Sequence, residues 1–165
     1  MIAKQVSIGL LLAAVRRRQR QTVEVRVRDL ELSNQQFWLL VALVERKGAT
    51  LAEILAVLPM DQPTASRVLA ALSRRKLVRL DSDPADRRRR RMALTPRGTE
   101  FGARCLAVAD EVRKAVEAHF SAEEIATLRG WLRRMVDNLD ELDRRSPPNT
   151  TELKNGQAAG PQGDR

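Results

Sequence analysis

The chain has 165 residues, 43% of them apolar and 3% aromatic, and a formal net charge of +9. That length suits one domain, or one with an appendage, and its core must come from Leu, Val, Ala and Met in helices rather than aromatics in a β-sandwich. One Cys and one His exclude an intramolecular disulfide and a structural zinc site. The basic balance points to an anionic partner, nucleic acid before an acidic membrane surface.

In chain order, Ile2, Val6, Ile8, Leu11, Leu12 and Val15 form a broad helical stripe over residues 2–18. The apolar run "IGLLLAAV" is followed by "RRRQR", the reverse of a secretory leader. It is also far short of a membrane span, so a cytoplasmic protein with no membrane partner is expected. "TVEVRVRD" alternates like a strand, yet its charges equally suit a continuing helix, and the helical reading is preferred. In "LSNQQFWLLVALVERKG", Ser33 and Gln36 make a capping box. Phe37, Leu40, Val41 and Val44 then share a face, and Gly48 ends the helix.

The box repeats in "TLAEILAVLP" with Thr50 and Glu53, and Pro59 is the expected terminator. Thr50 is also a candidate phosphate contact. The third helix lies in "DQPTASRVLAALSRRK", capped by Asp61 or Gln62, with Pro63 where a missing N–H costs nothing. Ala65, Val68, Leu69 and Leu72 face inward; Pro63, Ser66, Arg67, Ala70 and Arg74 face outward, with Gln62 and Thr64 in the leading turn. That outer face is either ordinary polar surface or a face for a DNA groove, since Gln, Ser, Thr and Arg are base-edge and phosphate ligands.

After Lys76 the period changes. "LVRL" and the alternating "RMAL" flank a polar tip, which reads as a β-hairpin. Between them "DPADRRRRRMALTPRG" carries five consecutive arginines, Arg87 to Arg91. Asp83 and Asp86 can hold the turn by charge-assisted bonds, and Arg in place of Lys favours planar, bidentate phosphate recognition. A hairpin tip is slim enough to lie in a minor groove, whose negative potential attracts Arg. Asp86, Arg87, Arg88, Arg89 and Arg90 are therefore candidate DNA-contacting residues.

Thr95 and Pro96 start a fifth helix carrying Phe101, Cys105, Val108, Val112 and Val116, which runs to His119 in its last turn. Ser121 and Glu124 box the sixth. There Ile125, Leu128, Leu132, Met135, Leu139 and Leu142 are spaced 3, 4, 3, 4, 3, a seam for packing two helices along their length. Residues 146–165 carry almost no large apolar side chains and read as a disordered tail. His119 lacks the nucleophile and carboxylate partners of a catalytic site, and no paired His, Cys or metal constellation marks an enzyme.

Short helices, a hairpin and then long helices describe a mainly α winged helix-turn-helix flanked by interface helices. "TASRVLAALSRRKLVRLDSDPADRRRRRMALTPRGTEF" resembles the recognition helix and wing of the multiple-antibiotic-resistance regulator (MarR) family, and "LSNQQFWLLVALVERKGATLAEILAVL" its second and third helices. The resemblance covers roughly residues 30–102 and implies a homodimer on double-stranded DNA. It gives residues 1–30 as an N-terminal dimerisation helix, 31–97 as the DNA-binding domain and 98–145 as C-terminal dimerisation helices. Asp86 and Arg88 match the family's wing tip, whose arginine enters the minor groove; Thr64, Ser66 and Arg67 match its polar recognition positions.

This chain departs from the family pattern at Lys76, where a helix-ending Gly is usual. It departs again at Arg89 to Arg91, which suggest an unusually strong phosphate grip or a broader wing, and at Pro63, where a hydroxyl is common. The resemblance further implies a small lipophilic or aromatic effector, with no cofactor and no metal. Trp38, Phe101, Phe120 and Trp131 are candidates for lining its cavity, although scattered aromatics also build cores. Peroxide-sensing relatives carry a reactive Cys in the first helix; Cys105 falls instead in an apolar stripe, where inert burial is expected. The expected function is a sequence-specific regulator, a ligand-responsive repressor binding a palindromic operator as a homodimer. The alternative is an architectural DNA-binding protein without an effector.

Overall fold

A computed structural model describes residues 7–82 and 89–145. Ile2, Val6, Asp83, Asp86, Arg87, Arg88 and the expected tail over 146–165 lie outside the described residues. Helix α1 runs through Ile8–Arg26, so most of "TVEVRVRD" is helical. Val23 and Val27, four apart, both reach the core, while Arg20 pairs with Glu24 at 2.9 Å on the outer side. A 3₁₀ turn, Arg28–Leu30, then ends at Glu31 with φ 51°.

Helix α2 (Asn34–Glu45) begins at the expected box: Gln36 N donates to Ser33 Oγ at 3.2 Å and Ser33 N to Gln36 Oε1 at 2.9 Å. It is apolar on most sides because neighbours surround it; Phe37 and the run Leu39 to Leu43 are all buried, and the long helix over Pro96–Glu117 lies along it. Helix α3 (Leu51–Leu55) is a short rod that stops four residues before Pro59. There Val57 N and Leu58 N both turn back to Ile54 O, at 3.1 and 3.0 Å.

Helix α4 (Gln62–Arg74) is capped by Asp61, whose Oδ1 accepts from Thr64 N at 2.7 Å. Its buried positions are Ala65, Val68, Leu69 and Leu72, as the 3.6-residue period requires. It ends in a left-handed turn without a glycine. Lys76 has φ 56°; Leu77 N donates to Leu72 O at 3.0 Å and Lys76 N to Ser73 O at 2.9 Å, the paired bonds of a Schellman motif. The bend is therefore made by Lys76 itself.

Strands β1 (Val78–Ser82) and β2 (Arg90–Leu94) pair antiparallel, with Val78 opposite Leu94 and Ser82 opposite Arg90. A third segment joins them: Thr50 bridges to Arg91, and Met92 N donates to Ala49 O at 2.9 Å. The returning arm of the hairpin is thus tied to the turn between α2 and α3. Helix α5 (Pro96–Glu117) starts from Thr95, whose hydroxyl accepts from Gly98 N at 3.0 Å and donates to Lys76 O at 2.6 Å. Its first turn lies so close to the hairpin root that a Cβ on Gly98 would stand 1.8 Å from the Leu77 carbonyl oxygen.

The described residues up to Ala118 form one compact unit, and those from His119 a second. The first has a single core cluster joining α2 to Val23, Leu30, Ile54, Leu72, Leu77, Met92, Cys105 and Val112. His119 lies beyond the end of α5 rather than in its last turn, at φ 69°. Helix α6 (Ala122–Arg145) is boxed by Ser121 and Glu124 at 2.8 and 3.2 Å, and within this chain it has no buried residue. Among the described residues no helix is long and apolar enough to cross a membrane.

Candidate nucleic-acid interface

Helix α4 turns one face to solvent. Gln62, Pro63, Ser66, Arg67, Ala70 and Arg74 are exposed and Thr64 is half-buried, so the structure groups every expected recognition-helix residue on or beside one stripe. Within it the Arg67 guanidinium is steered: Arg67 Nη2 donates to Thr64 Oγ1 at 3.2 Å, and Thr64 N is held by Asp61. Hydrogen bonds from Thr64 keep the Asp61 carboxyl below its ordinary range, and the Arg67 charge adds to them. A guanidinium has five donors, so Arg67 keeps a fork for the N7 and O6 edge of guanine or for a phosphate. Ala70, small and exposed, leaves room for close approach.

The arginine run divides. Asp86, Arg87 and Arg88 fall outside the described residues. Arg89 and Arg90 are exposed, whereas Arg91 is half-buried and donates from Nη1 to Gly48 O at 2.9 Å. Strand alternation separates Arg90 from Arg91, because neighbouring residues on β2 point to opposite faces, while Arg89 precedes the strand. Arg91, grouped by the sequence with a phosphate grip, commits part of its guanidinium to clamping the hairpin onto the turn after α2.

Thr50 is half-buried, and its N–H and hydroxyl both donate to Glu53 Oε2, at 2.7 and 3.1 Å. A phosphate there would share a hydroxyl already used in the capping box. The Thr50 backbone N–H, then its hydroxyl, hold the Glu53 carboxyl below its ordinary value, helped by the charges of Arg91 and Arg89.

Sequence reasoning passed over Arg75. Its Nη1 donates to Glu31 O at 2.7 Å and its Nη2 to Leu30 O at 2.8 Å. The same guanidinium carbon stands 5.8 Å from the centroid of the Phe101 ring, and that of Arg97 stands 5.4 Å from it. Only the charge of "SRRK" was visible in the sequence; partners 44 and 45 residues away were not.

A cleft of about 1080 Å³ opens between α1, α2, the α3–α4 turn and α5, lined by Arg16, Arg17, Trp38, Met60 and Leu106 among others. Of the four candidate aromatics Trp38 lines it; Phe101 packs under the two arginines, and Phe120 and Trp131 are exposed in the second unit. Asn34 Oδ1, on the cleft wall, is buried without a hydrogen-bond partner. Cys105 is fully buried, and burial pushes its thiol up to about 11, too high for a thiolate at neutral pH.

The sequence model of the MarR family matches residues 30–89, the span from the end of the 3₁₀ turn into the arginine run. The chain is 28% identical over 131 residues to the HTH-type transcriptional repressor NicR of Pseudomonas putida, covering 79% of this chain and 83% of that protein. Among solved structures it is similar to Bordetella bronchiseptica BpsR, described with regulation of its DNA binding by 6-hydroxynicotinic acid. There the TM-score is 0.65 at 27% identity, over 78% of this chain and 98% of that one. The fold is also that of S. aureus MepR, described as a DNA complex, with a TM-score of 0.75 at 23% identity over 83% and 99% of the two chains.

Proposed function

We propose that the chain, which resembles the MarR family of winged-helix transcriptional regulators over residues 30–89 and NicR over most of its length, is a ligand-responsive repressor binding a palindromic operator as a homodimer. The observation that carries this reading is the solvent face of α4: Gln62, Pro63, Ser66, Arg67, Ala70 and Arg74 exposed together, above a face buried at Ala65, Val68, Leu69 and Leu72. Such a rod fits a major groove. Arg89 and Arg90, exposed on the returning side of the hairpin, extend the basic surface towards Asp86, Arg87 and Arg88, which are proposed for the adjacent minor groove. A cytoplasmic, nucleoid-associated location follows from that role.

Dimerisation is supported by apolar surface that one copy leaves uncovered: Leu10, Leu11 and Val15 on α1, and Leu128, Trp131, Leu139 and Leu142 on α6. A monomer rarely exposes that many large apolar side chains in helical register. The proposed effector is a small aromatic acid in the cleft, where Trp38 offers a ring and Arg16 and Arg17 offer cations. BpsR, whose DNA binding responds to 6-hydroxynicotinic acid, supplies the first compound to try.

The test is selection of duplexes from a random-sequence library, followed by fluorescence anisotropy at fixed salt with and without 6-hydroxynicotinic acid or related aromatic acids. An inverted repeat with half-sites about 10 base pairs apart, bound at least about 10³-fold more tightly than random duplex, is the expected result. Equal affinities with the same steep salt dependence would replace the operator reading with an architectural one.

A further inference from the structure

We infer that Arg75 is a positioning residue for DNA recognition, a clasp that fixes the tilt of α4 by gripping the carbonyl end of the 3₁₀ turn and the Phe101 ring of α5. The inference rests on the proposed reading of α4 as the groove-binding helix. Four observations converge on it. Arg75 follows the last helical residue of α4, at the end opposite the exposed leading turn. Its planar fork makes two bonds at once, to Glu31 O at 2.7 Å and Leu30 O at 2.8 Å. Glu31 holds a left-handed conformation at φ 51°, a state that non-glycine residues adopt when their surroundings hold them there. Finally, the same guanidinium packs on Phe101, 5.8 Å from its centroid.

The turn so gripped is itself moored to α5. Arg26, just before it, donates to Glu111 Oε1 from Nε and Nη2, at 2.9 and 2.8 Å, and Asp29 within it pairs with Arg104. Arg75 therefore ties the end of α4 to the α1–α5 framework, not merely to a loose loop. Geometry turns this tie into a determinant of recognition. From the leading turn to Arg75 the helix is about 20 Å long, so a tilt of about 5° at the clasp carries the first turn through ~2 Å. That displacement breaks a bidentate base contact, whose geometry is strict, but leaves attraction to the phosphate backbone almost unchanged.

The experiment compares wild type, Arg75→Met, Arg75→Lys, Phe101→Leu and the Arg75→Met/Phe101→Leu double variant. Each is titrated over a range of salt against a duplex enriched by the wild-type protein and a scrambled duplex of equal length. Arg75→Met is expected to bind the enriched duplex roughly three- to thirty-fold more weakly, with unchanged affinity for the scrambled one and an unchanged salt slope. Arg75→Lys, which keeps the charge and can make one of the two bonds, recovers part of the loss. Phe101→Leu shows a similar loss, and the double variant loses less than the sum, because both substitutions open one clasp.

Parallel weakening on both duplexes with a salt slope lower by about one makes Arg75 a phosphate ligand and overturns the inference. So does undiminished discrimination in Arg75→Met. Should Arg75→Met not fold, Arg75→Lys carries the same comparison, and full discrimination there, with the fork gone, also overturns it. A wild type that enriches no duplex overturns the reading of α4 itself, and the clasp with it.

Discussion

Lys76 holds a backbone conformation that suits glycine, φ 56°, because the Schellman bonds to Leu72 and Ser73 and the Thr95 hydroxyl on its own carbonyl fix it there. Cβ crowding makes that state costly for any L-residue. Lys76→Gly should therefore stabilise the protein by about 1 kcal/mol, after allowing for the extra freedom of glycine in the unfolded chain, and Lys76→Val should destabilise it by more; urea unfolding at fixed protein concentration measures both. Nothing in the residue type announces this turn, whereas the exposure of Ser66, Arg67 and Arg74 follows from helical period alone. Arg91 was hidden for a different reason: five identical side chains give no sign of which one strand alternation sends inward to Gly48. On the DNA side, Arg67→Ala should change the preferred base at one position at a cost of about 1–3 kcal/mol. Arg88→Ala should weaken the enriched duplex while leaving the unfolding midpoint in place. Anisotropy with single-base variants of that duplex separates the two, and an Arg67→Ala protein with wild-type base preference would remove Arg67 from the reading set.

Between elements, the junction of hairpin and α5 leaves no room. A Cβ on Gly98 would lie 1.8 Å from Leu77 O and 2.8 Å from Leu77 C, both backbone atoms that cannot swing aside. Gly98→Ala should cost about 3 kcal/mol or more, seen as a large drop in Tm, because α5 must lift off the hairpin root or lose its Thr95 cap. Acidic side chains in the caps and first turns of the helices make a prediction about acid. Glu53, Asp61 and Glu123 all titrate below their ordinary values of 4.5, 3.8 and 4.5 because folding supplies their carboxylates with donors. A depressed folded-state value contributes stability that is complete above the ordinary value and is lost as pH falls through the depressed one. Thermal stability should thus decline from about pH 4.5 downwards. Glu53→Gln should begin lower at neutral pH and decline less steeply; an identical pH profile would show that the Thr50 box contributes nothing. The Thr50–Glu53 box was readable in the sequence because donor and acceptor sit three residues apart. The bridge from Thr50 to Arg91 was not, since it joins residues far apart in the sequence and depends on how the hairpin folds back.

At the scale of the whole molecule, the sixth helix carries an apolar face that its own chain leaves uncovered. Its heptad spacing was legible at once, yet within one chain Leu139 is 62% exposed, Leu142 57% and Leu128 43%. Periodicity reports that a face must be covered and says nothing of what covers it. If a partner does, Leu139→Asp with Leu142→Asp places four carboxylates in a two-fold seam. At about 2 kcal/mol for each buried leucine, the loss is roughly 8 kcal/mol per dimer before any repulsion is counted. If nothing covers the seam, the same two changes fall on solvated surface and cost about 0.5 kcal/mol or less each. Sedimentation should then show the wild type as a dimer and the double variant as a monomer with its helical circular dichroism largely kept. The wild-type Tm should rise with protein concentration while that of the variant does not. Operator binding gives a second, independent reading, because a monomer engages one half-site and loses the joint contribution of two. A double variant that still sediments as a dimer and binds the enriched duplex as tightly as wild type would take α6 out of the interface.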